Sequence, residues 1–151
     1  MIIVDTNVIA ALYLTSDFTA QAENLILQDD DWAAPLLWRS EMRNTLTKYL
    51  RAGLMSLEQI YQIQHEAEVL MTGNEYQTNS LEVLKLANAS QCSAYDCEFV
   101  ALARHLQVKL ITQDKQILAQ FPQHTIALKD IEIKQLWNPV WWKNSPPWAS
   151  A

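Results

Sequence analysis

The stretch MIIVDTNVIAALYL, residues 1–14, decides the fold. Met1 to Val4 is a β-branched run that stops at an acid, Asp5, which is the pattern of a short buried strand. Residues 7–14 then read as a helix, so the chain opens strand–acid–helix. Further on, helices are expected at about 18–28, from Pro35 to Arg51, from a Ser56–Gln59 capping box to about Met71, at 80–91 and from about Tyr95. Strands are expected at Trp32–Ala34, Val108–Thr112 and His124–Leu128, with a short helix over Asp114–Phe121 and a polar connection over 72–79. Strands alternating with helices predict an α/β fold with a mainly parallel sheet.

Composition narrows the chemistry. The 151 residues fit one domain, and they include only two glycines, Gly53 and Gly73, where average usage would supply about eleven. A glycine-rich phosphate loop and the dinucleotide fingerprint are therefore excluded, since each needs several glycines close together. The longest apolar run, Val8 to Leu14, is too short to span a membrane. No Lys or Arg precedes Arg39, so a positively charged leader is missing and a cytoplasmic protein is expected. Cys92 and Cys97 read as reduced packing residues. Residues 1–38 carry six acids and no base, which accounts for the whole net charge of −6. That balance argues against a broad basic surface for nucleic acid but leaves room for carboxylates gathered around a metal.

Parallel sheets bind ligands beyond the carboxyl ends of their strands. Asp5 and Asp114 stand at such ends, although either also suits a helix N-cap. In the helix after Ser93, Asp96 falls within the apolar arc formed by Tyr95, Phe99, Val100, Leu102, Ala103 and Leu106. An inward carboxylate must be paired, capped or metal-bound, and Ser93-x-x-Asp96 is also a capping-box pattern. Glu98 and His105 fall on the opposite, polar side. In helix 36–51, Trp38, Met42, Leu46, Tyr49 and Leu50 form the buried stripe, and Glu41 borders it beside Thr45. Arg39 and Arg43 point away from Glu41.

Four segments together, IIVDTNVIAALYL, SEMRNTL, YDCEFVALARHL and LITQDKQIL, resemble the PIN-domain ribonucleases, and most of all the VapC-type toxins of bacterial toxin–antitoxin systems. The resemblance covers about residues 1–131, in the same order and spacing. It implies a three-layer fold with a central parallel sheet, and it places the family's acidic site on Asp5, Glu41, Asp96 and Asp114. Thr6, Asn7 and Thr112 fall where the family carries groups that orient those acids. It further implies metal-dependent hydrolysis of RNA to a 3′-hydroxyl and a 5′-phosphate, a homodimer and a small antitoxin partner.

The chemistry agrees with that implication. Four ionised carboxylates at about 6 Å repel one another by roughly 3 kcal/mol per pair at an effective dielectric near 20, so they take up protons or a cation. Oxygen-only donors favour Mg²⁺ or Mn²⁺ over zinc, and His65, His105 and His124 show no ligand spacing. Asp5, Asp96 and Asp114 are expected to hold the metal directly, with Glu41 binding through water or orienting the attacking water. Lys48 and Lys115 are candidates for phosphate contacts, with solvated surface lysines as the plain alternative.

Two rival functions follow from the same residues. A non-catalytic PIN-like module would bind RNA or protein without cutting. A haloacid-dehalogenase-like phosphatase would use Asp5 as nucleophile, but Asn7 stands where a second acid is usual. The nuclease domain is assigned to residues 1–136. Residues 137–151, WNPVWWKNSPPWASA, form a separate tail holding four of the six tryptophans. That tail is either an arm packed on its own domain or a partner-binding element.

Overall fold

A computed structural model describes residues 1–132, so the boundary at 136 and the tail 137–151 lie outside the described residues. Five strands form one sheet: β1 (Ile2–Val4), β2 (Trp32–Pro35), β3 (Glu75–Tyr76), β4 (Leu110–Thr112) and β5 (Thr125–Ala127). Their order is β3-β2-β1-β4-β5, and every pair is parallel. The helices are α1 (Thr6–Tyr13), α2 (Thr19–Gln28), α3 (Leu37–Arg51), α4 (Leu57–Leu70), α5 (Ser80–Asn88), α6 (Ala94–Leu106) and α7 (Lys115–Gln120). They flank the sheet as the outer layers of an α/β fold, and a 3₁₀ turn follows at Leu128–Asp130.

The short strands are buried because both sheet faces are covered. Ile3, Val4, Trp32, Ala33, Ala34, Leu110 and Ile111 are all in the core, with Trp38, Met42 and Leu46 packing from α3. Side chains cap the helices as expected: the Ser56–Gln59 box closes on α4, and Ser93 Oγ accepts the Asp96 N–H at the start of α6. Gly53 has φ +70° and ends α3 in a Schellman motif, with Gly53 N–H donating to Leu50 O and Leu54 N–H to Tyr49 O.

Three details differ from expectation. The connection over 72–79 contains β3, a two-residue polar strand that periodicity cannot register. Pro35 ends β2, and α3 begins at Leu37. Tyr95, placed within the buried arc of α6, is 65 % exposed: it stands in the first turn, ahead of the buried run that begins at Cys97. The buried face is carried instead by Cys97, Phe99, Val100 and Ala103.

The topology sets the place of the site. From β1 the chain builds the sheet one way through β2 and β3 and the other way through β4 and β5. The carboxyl ends of β1 and β4 therefore flank a topological switch point, where open α/β sheets form a crevice.

Candidate active site

At that switch point lies a cleft of about 440 Å³. Asp5 enters it from the end of β1, Glu41 from the second turn of α3, Asp96 from the first turn of α6 and Asp114 from the start of α7. All four acids read from the sequence line this one cleft, and among the described residues no Lys, Arg or His lines it with them.

Asp5 is the most confined of the four, with only 8 % exposure. Its Oδ1 accepts the Thr6 N–H at 2.7 Å, and its Oδ2 accepts the Thr112 hydroxyl at 2.7 Å and the Asn7 amide at 3.4 Å. Burial pushes its pKa up to about 7, aided by the charges of Glu41 and Asp96 and opposed by the hydrogen bonds from Thr112 and Thr6. Burial also raises the pKa of Glu41; the Thr6 hydroxyl, donating to Oε1 at 2.8 Å, opposes this, and Asp96 and Glu98 add to it. Glu98, expected on the solvated side of its helix, is half-buried, accepts a hydrogen bond from Thr78 and extends its charge to Glu41.

The capping alternatives are met in part. Asp114 Oδ1 accepts the N–H groups of Gln116 and Ile117, which leaves Oδ2 without a partner among the described residues. Ser93 caps the Asp96 backbone, but the Asp96 carboxylate returns no bond, so among the described residues both its oxygens lack a partner, as does Glu41 Oε2. The three helix N-termini at Asp5, Asp96 and Asp114 place partial positive charge around the cleft, which eases the repulsion among the acids.

A second set of side chains braces these acids. Asn7 Oδ1 accepts the Gln113 N–H, Gln113 Nε2 donates to Asn7 O, and the Asp114 N–H donates to Thr112 Oγ1. Thr6, Asn7 and Thr112 thus tie β1 to β4 through the carboxylate of Asp5. Gln113 belongs to this brace and went unread in the sequence, where nothing marks it beyond its place between Thr112 and Asp114. Asn44, Thr45, Tyr49 and Phe18 also line the cleft. Lys48 and Lys115 are exposed and do not line it.

The available donors are carboxylate oxygens, which suit a hard divalent cation. Among the described residues, no three His, Cys, Asp or Glu side chains already stand together as a ready-made ligand group. A closed cage is not what such an ion requires: Mg²⁺ retains several waters and is commonly held by one or two carboxylates.

Known proteins share this fold. A family model described as PIN domain matches residues 2–122. Ribonuclease VapC3 of Pyrobaculum aerophilum is 31 % identical over 125 residues, covering 80 % of this chain and 95 % of the relative. Among solved structures, FitAcB from Neisseria gonorrhoeae superposes with a TM-score of 0.68 at 14 % identity, covering 86 % of this chain and 99 % of the other. A toxin–antitoxin complex from Klebsiella pneumoniae gives 0.65 at 18 % identity, covering 85 % and 98 %. At these identities the structural likeness is one of fold. The family match and the VapC3 relative carry the conclusion: the chain belongs to the PIN-domain family.

Proposed function

We propose that this protein is a metal-dependent endoribonuclease, the toxin member of a toxin–antitoxin pair, acting with Mg²⁺ or Mn²⁺. The observation that carries this reading is the convergence of Asp5, Glu41, Asp96 and Asp114 on one cleft that no basic side chain lines among the described residues. The printed name of the Pyrobaculum relative and the toxin–antitoxin complex among the structural neighbours support it. A small antitoxin and a second copy of the chain are the partners this reading implies. The nuclease domain spans 1–136, and the tail 137–151 contributes to one of those interfaces.

Asp5, Asp96 and Asp114 would hold the cation from three elements, with water completing its shell. When bound, it supplies charge stabilisation at the phosphodiester and a more acidic water. Thr6, Asn7 and Thr112 keep the Asp5 carboxylate in one orientation, as hydrogen-bonded partners of ligating groups do. Glu41, with Oε2 free and Oε1 fixed by Thr6, is positioned to orient the attacking water and accept its proton. The products are a 5′-phosphate and a 3′-hydroxyl. Lys48 and Lys115, outside the cleft, are open to flanking phosphates.

Cleavage of RNA by wild type and Asp5→Asn, with Mn²⁺ or with excess chelator, tests the assignment. Asp5→Asn should lose activity by at least about 10²-fold while keeping a native circular dichroism spectrum. Undiminished cleavage by the variant, or by wild type in chelator, overturns it.

A further inference from the structure

The acids occupy only one end of the cleft. From there it runs between α1 and α3 from Glu41 to Tyr49, eight steps or about 12 Å of helix. The walls change character along that length. Beyond the carboxylates come Ala10, Ala11 and Leu14 on one side and Asn44, Thr45 and Tyr49 on the other, with Phe18 at the far end. Phe18 and Tyr49 are both half-buried and lean on the core, so their rings are held in place. Neither ring stacks on another among the described residues, and the Tyr49 hydroxyl and the Asn44 amide make no hydrogen bond among them. The Tyr49 carbonyl also accepts the Leu54 N–H at the Gly53 turn, which fixes the last turn of α3 beneath it.

Electrostatics limits what this end can hold. With four acids and no Lys, Arg or His in the lining among the described residues, that lining offers a polyanion no ion pair. Within the cleft, affinity beyond the cation-held phosphate comes from uncharged contacts, and half-buried rings beside an amide without a partner among the described residues suit a nucleobase.

We propose that Phe18, Tyr49 and Asn44 form a nucleobase subsite that takes an unpaired base a few nucleotides from the scissile phosphate. The rings stack the base and the Asn44 amide reads its edge. The subsite selects single-stranded or looped RNA, because a base held in a duplex cannot enter a cleft between two helices. This inference rests on the ribonuclease reading.

The test starts from a random-sequence single-stranded RNA pool incubated with wild type and Mn²⁺, with the cut ends sequenced. One cleaved oligonucleotide is then resynthesised with an abasic nucleotide at each position in turn. For wild type, one abasic position near the cut should raise KM about tenfold with little change in kcat. In Tyr49→Ala, KM for the intact RNA should rise by a similar factor and the abasic penalty should fall below about twofold, with Tyr49→Phe restoring both. Asn44→Ala should flatten the base preference at that position. Equal cleavage of all abasic substrates, or a full abasic penalty retained in Tyr49→Ala, overturns the subsite and leaves the ribonuclease reading standing. Tyr49→Ala that cuts RNA normally but escapes inhibition by an antitoxin also overturns it, since the aromatic end then serves a protein. If no RNA in the pool is cut, the ribonuclease reading fails and the subsite with it.

Discussion

Helix α3 carries two charged clusters on opposite sides, rooted only two residues apart. Arg39 turns one way and donates to Glu75 and Glu68, while Glu75 also accepts the Trp38 indole N–H at 2.8 Å. Glu41 turns the other way, into the cleft with Asp5, Asp96 and Asp114. In the first cluster opposite charges meet, and hydrogen bonds from Arg39 hold the Glu75 carboxyl below its ordinary pKa. In the second, like charges meet in a partly dry crevice, and burial drives Asp5 and Glu41 above theirs. The sign of the shift separates a cluster that stabilises the fold from one that the fold tolerates, and tolerated strain of that kind concentrates at functional sites.

Substitutions on the two sides should therefore act in opposite senses. The largest effect is expected from Asp96→Asn, which removes a carboxylate with both oxygens free. RNA cleavage should fall by about 10²-fold or more with Tm unchanged or raised, read by single-turnover kinetics and thermal melting.

Asp5→Asn should stabilise the metal-free protein in a pH-dependent way. The folded carboxyl binds its proton up to about pH 7 and the unfolded one only to about 3.8, so wild type loses stability as pH rises between those values. Above pH 7 that loss is at most roughly 4 kcal/mol, reduced by the lost bond to Thr112. The Tm advantage of the variant should grow by several degrees from pH 5 to pH 8, and a constant difference would remove the strain argument.

Arg39→Ala should do the reverse, costing roughly 1–3 kcal/mol at pH 7, since it strands Glu75, whose side chain is 13 % exposed. Glu75 has a depressed folded pKa, so its contribution is present above about pH 4.5 and is lost as pH falls through the folded value. The destabilisation should shrink in acid, while RNA cleavage well below the Tm stays within about twofold of wild type. The smallest effect belongs to Gly53→Ala. An added Cβ meets nothing within 4 Å, so only the positive φ opposes it, at about 1 kcal/mol by chemical denaturation.

The two clusters also differ in how far they could be read from the chain. Asp5 is legible because a β-branched run stops at it, and Asp114 because it follows a strand. Asp96 is legible because helical phase turns a carboxylate inward. All three are local patterns. The Arg39–Glu75 pairing joins residues 36 apart through a two-residue strand, and no periodicity reports such a contact. Tyr95 fails for a related reason: phase alone cannot tell a helix turn that packs on the core from a first turn that precedes the buried run. Lys48 and Lys115 sit near the acids in sequence yet stand outside the cleft, because adjacency along a helix is not adjacency around a site.

The account stands most directly on one titration, Mn²⁺ into metal-free protein by calorimetry at pH 7.5, for wild type and for Asp96→Asn. Wild type should bind the ion, and the variant should bind at least about tenfold more weakly while remaining folded. Equal affinity in the two proteins, or no binding by wild type, would contradict the claim that the switch-point carboxylates form a cation site.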